Sequence, residues 1–299
     1  MRRALGVFVG AAALALAAGA AAHRVVANGP IGYLRPLGGN EPPYAHLFVA
    51  AADGSGAHDI TPAGYSDMRS FAWSSDGKRV AFSALADGDN DAEIYVMPAD
   101  GGPVTRLTNN YLPDYQPAWS PDGKSIAFTS IRTGLSQIWR MRADGSGQRQ
   151  LTHAFGNCDQ PAWSPKGTLI AFHCAMAQTK ISVMRPDGTH GRTLLRSKST
   201  LESSPAWTPG GLIVFGRGGP GPSWPALGVW RMRSDGTGLH RILAVGGQPT
   251  VSPDGRSIAF VWNRDGNQEL YSVGTAGGTP TQLTNTPGIT EASPAWRRG

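Results

Sequence analysis

Short apolar runs along this chain alternate large and small side chains: Val80-Ala81-Phe82, Ile126-Ala127-Phe128, Ile170-Ala171-Phe172 and Ile258-Ala259-Phe260. Successive side chains of a strand point to opposite faces, so each run predicts a strand with one bulky and one small face, both apolar. A sheet apolar on both faces needs further sheets packed against both. Just before each run lies Pro-x-Trp, or a near copy of it (Phe71-Ala72-Trp73 and Pro249-Thr250-Val251), and a tight turn, most fully written as Pro117-Ala118-Trp119-Ser120-Pro121-Asp122-Gly123. Trp73, Trp119, Trp163, Trp207, Val251 and Trp296 mark six occurrences, spaced 46, 44, 44, 44 and 45 residues apart. A fixed period near 45 built from short strands is the signature of a propeller-like repeat array.

Each repeat reads as four strands, for example Pro117–Trp119, Ile126–Thr129, Ile138–Met141 and Arg149–Thr152. Proline presets φ in the first turn, Asp bonds back to the backbone, and Gly takes the left-handed position. Asp144-Gly145-Ser146-Gly147, echoed at Asp53, Asp100, Asp187 and Asp235, predicts the hairpin between third and fourth strands. The first repeat has a second strand (Ile31–Leu34), a third (Leu47–Ala50) and a fourth (His58–Thr61), but no Pro-x-Trp strand ahead of them. Pro294-Ala295-Trp296 at the other end supplies a first strand with nothing after it. Together they predict an all-β, six-bladed propeller over residues 23–299, in which the C-terminal strand closes the first blade and hides two sheet edges.

These motifs carry a family resemblance. The Pro-x-Trp-Ser-Pro-Asp-Gly-x-x-Ile-Ala-Phe phrase, the third strand at Ile94 and the Leu-Thr endings at Leu107, Leu151 and Leu283 resemble TolB-type propeller repeats, over roughly residues 29–299. TolB proteins also carry an N-terminal α/β domain, for which this chain has no room. The resemblance implies a propeller that docks a protein at the mouth of its channel; in that family the docked protein is a peptidoglycan-associated lipoprotein.

Composition adds bounds. Charged residues are sparse at 16%, while Gly (40) and Pro (23) are abundant, which suits a turn-rich β fold. The net charge is +6, but the arginines are scattered over strands and turns, so no nucleic-acid-binding stripe is expected. Met1-Arg2-Arg3 and the apolar stretch Ala4–Ala22, ending in Ala20-Ala21-Ala22, read as a secretory signal peptide over residues 1–22. An uncleaved membrane anchor is the alternative; the Ala-rich stretch inserts less well than a Leu-rich one. Either way the expectation is an exported protein, periplasmic or extracellular and monomeric, touching the membrane only through that segment.

Export permits a disulfide between the only two cysteines. If the turn at Ser164–Gly167 pairs Trp163 with Thr168, position numbers across the hairpin sum to 331. Cys158 and Cys174 sum to 332, within one residue of direct opposition. Two free thiols remain the alternative.

One face of the disk should carry the blade-to-blade connections and the loops between second and third strands. Its loops differ in length and chemistry, whereas the turns of the opposite face are near copies. Recognition is therefore expected on the variable face. Ser70, Gln116, Gln160, Ser204, Gln248 and Ser293 precede the Pro-x-Trp positions and should ring the channel mouth, with Arg69, Asp114, Tyr115, Asp159, Glu202 and Glu291 just outside. Such a rim suits a polar peptide, a protein loop or a cation; it equally suits a solvated rim that only satisfies strand ends. Trp224, in the Gly- and Pro-rich stretch 216–225, is a further candidate contact. Asp87, Asp89, Asp91 and Glu93 have the carboxylate density of a Ca²⁺ site but lack the full loop of an EF-hand, and an acidic turn explains them as well. No other cofactor is expected, and the histidines show no metal spacing. No Gly-x-Ser-x-Gly, His-Glu-x-x-His or phosphate loop occurs. A non-enzymatic binding scaffold is the leading expectation; the alternative is a lyase or hydrolase acting on a carbohydrate or peptide, with a site assembled from loops of the variable face.

Overall fold

The computed structural model describes residues 28–37, 45–219 and 226–299. The described residues contain strands and turns but no helix, arranged as six four-stranded antiparallel sheets. Blade three is typical: Asp114–Trp119, Ser125–Ser130, Gln137–Arg142 and Arg149–Gln150, from the centre outward. Blade one joins Asn28–Pro36, Ala45–Ala50 and His58–Asp59 to the C-terminal strand Ala292–Arg298, so the predicted closure is the observed one. The first strands of successive blades touch one another all the way round.

The repeated motif residues each satisfy a particular bond. In the Ser-Pro-Asp-Gly turn, Ser120 Oγ donates to Asp122 and accepts the amide of Ser125, while the Lys124 amide donates to the same carboxylate. These bonds hold the carboxyls of Asp76 and Asp122 below the usual range. Gly123 sits there at φ 68°, which a side chain would strain. The tryptophans tie blades together. The indole N–H groups of Trp73, Trp163 and Trp207 donate to the carbonyls of Ala295, Ala118 and Ala162 in the neighbouring blade, at 3.0–3.1 Å.

First strands begin three residues earlier than the sequence predicts, and fourth strands end directly before the Leu-Thr pair, two residues short of the predicted end. The threonine works beyond the ladder. Thr108, Thr152 and Thr284 accept the amides of Ile94, Ile138 and Leu270 and donate to Glu93, Gln137 and Glu269 at the starts of third strands.

Trp163 pairs with Ile170, not Thr168, because the turn runs to a bond between the Ser164 amide and the Leu169 carbonyl. A bulge between Asp159 and Ala162 then shifts the register by one and sets Cys158 opposite Cys174. Their sulfurs are bonded, with Cα atoms 4.1 Å apart and a sequence separation of 16. Closing a loop of this length stabilises by about 3 kcal/mol in the chain-entropy model. The Cys158→Ala/Cys174→Ala protein is accordingly expected to unfold at lower urea concentration, by about 2–3 kcal/mol. An unchanged midpoint would show that the bridge contributes nothing.

Candidate functional site

The residues just before each proline, Gln116, Gln160, Ser204, Gln248 and Ser293, occupy the left-handed region at φ 49–55°. A non-glycine residue there costs on the order of 1–3 kcal/mol and needs a compensating contact. The compensation is a chain of bonds from blade to blade. The amide of Gln116 donates to Ser70 Oγ (2.7 Å), that of Gln160 to Gln116 Oε1 (2.9 Å), that of Ser204 to Gln160 Oε1 (2.7 Å) and that of Ser293 to Gln248 Oε1 (2.8 Å). The amides and hydroxyls read from the sequence as a mouth for a partner thus bind the propeller's own strands. Blade two departs from the pattern, with Asp67 rather than Ser70 left-handed.

The carboxylates outside this ring are also spoken for. Asp114, Glu202 and Glu291 are wholly buried, so none of them can meet a partner. Arg132 pairs with Asp114, Arg217 with Glu202 at 3.0 Å, and Arg35 with Glu291 through both Nε and Nη2. Each of these arginines, near the end of a second strand, also lies over a third-strand ring: Arg35 over Phe48, Arg132 over Trp139 and Arg217 over Trp230, at 4.5–5.0 Å. Blades one, three and five therefore share a carboxylate–guanidinium–ring corner that no linear motif announces. Burial raises the carboxyl of Glu291, an effect its hydrogen bonds and Arg35 oppose.

Of the remaining rim residues, Tyr115 is half-buried and bonded to Ser136 (2.7 Å), and Asp159 is bonded to His173 (2.8 Å). Arg69 is exposed and paired with Asp67 at 2.7 Å. Trp224 and the leader at 1–22 lie outside the described residues.

The proposed calcium ligands do not converge. Asp87 is exposed, Asp89 accepts from Tyr95 and Arg106, and Glu93 is buried among Thr108, Asn110 and Arg106. No group of three or more metal-ligating side chains forms among the described residues. Desolvation raises Glu93 to about 7, with Thr108 and Asn110 pulling the other way. With its folded value above the unfolded one, this group's contribution to stability is fullest below the unfolded pKa and declines as pH rises toward 7.

What the variable face does present is apolar. Tyr111 and Leu112 lie on the connection from blade two to three, and Leu135 on a loop of blade three. Phe155 lies on the connection from three to four, Met176 on a loop of blade four, and Leu201 at the start of blade five. All six are exposed, Tyr111 at 99% and Phe155 at 93%. Leu37 lies on the same face in blade one, and only Leu239, among the described exposed large apolar residues, lies on the other. The sequence reading passed over them because they sit in loops that do not repeat.

Solved structures share this architecture. TolB from Acinetobacter baumannii is similar with a TM-score of 0.76 and 20% identity, over 90% of this chain and 66% of that one. Kuenenia stuttgartiensis hydrazine synthase gives 0.75 and 13%, over 91% and 47%. A nidogen/laminin complex gives 0.68 and 13%, over 90% and 98%. The chain thus spans just under two thirds of the first of these and about half of the second, and identities this low speak for the fold alone. No curated protein sequence matches the chain. The sequence model of the TolB β-propeller domain matches residues 64–248, more than half of the chain, and the chain belongs to that family.

Proposed function

We propose that this protein is an exported, non-enzymatic interaction scaffold that docks a protein or peptide partner on its connection-bearing face. The observation that carries the reading is the run of six exposed apolar side chains along that face from blade two to blade five. Exposed apolar side chains grouped on one face mark contact sites, and tyrosine and other large side chains supply most of the energy in such contacts. Three of the four rim carboxylates, Asp114, Glu202 and Glu291, are buried and consumed by arginines, which favours docking over acid–base chemistry there. A protein complex among the similar structures is in keeping with this role. The leader reading places the mature start near His23, outside the cytoplasm, and the propeller then works as a single folded unit.

Tyr111→Ser combined with Leu135→Ser is expected to weaken the partner ~30-fold or more, a loss of about 2 kcal/mol typical of hot-spot residues. Cross-linked capture from the native envelope or secreted fraction, compared by quantitative mass spectrometry, reads this out. Equal capture by wild type and variant would remove the face from consideration.

A further inference from the structure

In five blades the third strand places an aromatic ring directly across from the aromatic of the second. Tyr33 faces Phe48, Phe82 faces Tyr95, Phe128 faces Trp139, Phe215 faces Trp230 and Phe260 faces Tyr271. In blade four the residue across from Phe172 is Ser182. Three of these pairs stack: Tyr33 with Phe48 at 5.9 Å and 26°, Phe82 with Tyr95 at 5.6 Å and 24°, and Phe260 with Tyr271 at 6.0 Å and 29°. In blade four a cleft of about 510 Å³ opens between blades three and four instead. Phe172, Ser182, Met184 and the cystine form its wall, with Phe155 and Met176 at its upper end. Phe172 keeps 5% exposure, where Phe82, Phe128, Phe215 and Phe260 have none.

The cleft also has a charge. Lys180 lies two residues before Ser182, on the same strand face, and lines the cleft. Glu93, Gln137 and Glu269 hold this place in blades two, three and six, each bonded to the threonine just beyond its fourth strand. The Lys180 ammonium makes no hydrogen bond or ion pair among the described residues. No residue lining the cleft is acidic, and Arg192 adds a second positive charge.

We propose that this cleft binds a small planar aromatic carboxylate. The ligand's ring takes the position of the missing third-strand aromatic and stacks on Phe172 with the geometry seen in blades two and six. Its carboxylate pairs with Lys180. The volume lies within the ordinary range of small-molecule sites, and the lining is predominantly apolar with a few polar groups and two cations to orient a ligand, as such sites are. Packed sheets stand about 10 Å apart, so a space left by one ring is one ring thick. A flat molecule enters it edge-on; a peptide with side chains on both flanks does not. Nothing in this proposal depends on the protein-partner reading.

The test is a titration of the full mature chain with 2-naphthoate, followed by the methyl signals of Met176 and Met184. Binding should shift both signals. The neutral 2-naphthamide and the Lys180→Gln protein should each show about tenfold weaker binding, the loss expected for one charge-assisted hydrogen bond. Ser182→Trp and Ser182→Tyr, which restore the ring the other blades carry, should abolish binding with no fall in melting temperature. Ser182→Tyr guards against the larger ring failing to fit. Absence of shifts at millimolar naphthoate overturns the proposal, as does unchanged affinity in a folded Ser182 variant. Tighter binding of an acetylated Asp-Glu-Trp-Asp-Glu peptide than of naphthoate would assign the cleft to a protein segment and overturn it equally.

Discussion

A chain ending at residue 291 is expected to lose its cooperative thermal transition. Removing Ala292–Gly299 takes the innermost strand out of blade one and bares the edge of Asn28–Pro36. The buried Pro294, the Trp73–Ala295 bond, the Ser293–Gln248 bond and the contacts of Arg297 with Gly77 and Asp100 go with it. The losses fall on the interfaces with both neighbouring blades and sum to on the order of 5 kcal/mol or more, comparable to the whole net stability of many domains. Circular dichroism on heating decides the matter. A truncated chain melting within about 2 °C of the intact one, well under the shift of roughly 10 °C that about 5 kcal/mol brings to a domain of this size, would show that closure is not what holds the ring.

The second large effect is expected at Arg35. Glu291 has no exposed surface, and Arg35 is the cation that neutralises it. Arg35→Met keeps much of the side chain's bulk over Phe48 but strands a buried carboxylate, which typically costs about 3–5 kcal/mol. The cost should depend on pH. Burial already raises the Glu291 carboxyl, and losing Arg35 raises it further. A raised carboxyl makes the folded state the better proton binder, so stability declines as pH climbs through the folded value and recovers below the unfolded one. Urea unfolding at pH 8 should therefore show a larger deficit than at pH 5, and Arg35→Met/Glu291→Gln should recover much of it. An equal deficit at both pH values would mean that Arg35 acts by packing alone.

The fold was legible because its determinants are local and repeated. Ser120, Pro121, Asp122 and Gly123 close their own turn, and Trp163 reaches a carbonyl one blade away at a fixed offset. Copies at regular spacing expose such residues to a reader of the sequence. The rim was harder, because what decides a carboxylate's role is its partner. Glu291 and Arg35 are 256 residues apart, and Arg132 and Arg217 read as scattered charges until the strands bring them to Asp114 and Glu202. Gln116 and Gln160 stand out in the sequence as the residues before the repeated prolines, but their part in bonding the next blade depends on a left-handed backbone that no composition reveals. Tyr111 and Phe155 have no copies in other repeats to mark them, and the vacancy at Ser182 shows only when cross-strand partners are compared blade by blade.

The meeting of the two ends of the propeller has a consequence for how the chain could be rewritten. Asn28 and Arg298 are register partners in adjacent strands of the same sheet. A linker of a few residues between them would make the propeller a covalent circle, which could then be cut anew at one of the repeated turns opposite the variable face. A circular permutant opened in the Asp144–Gly147 turn would keep every strand of every blade and change only which blade is assembled from two ends. Tolerance of that change would mean that the gene's starting point is an accident of history and the ring itself is the heritable unit.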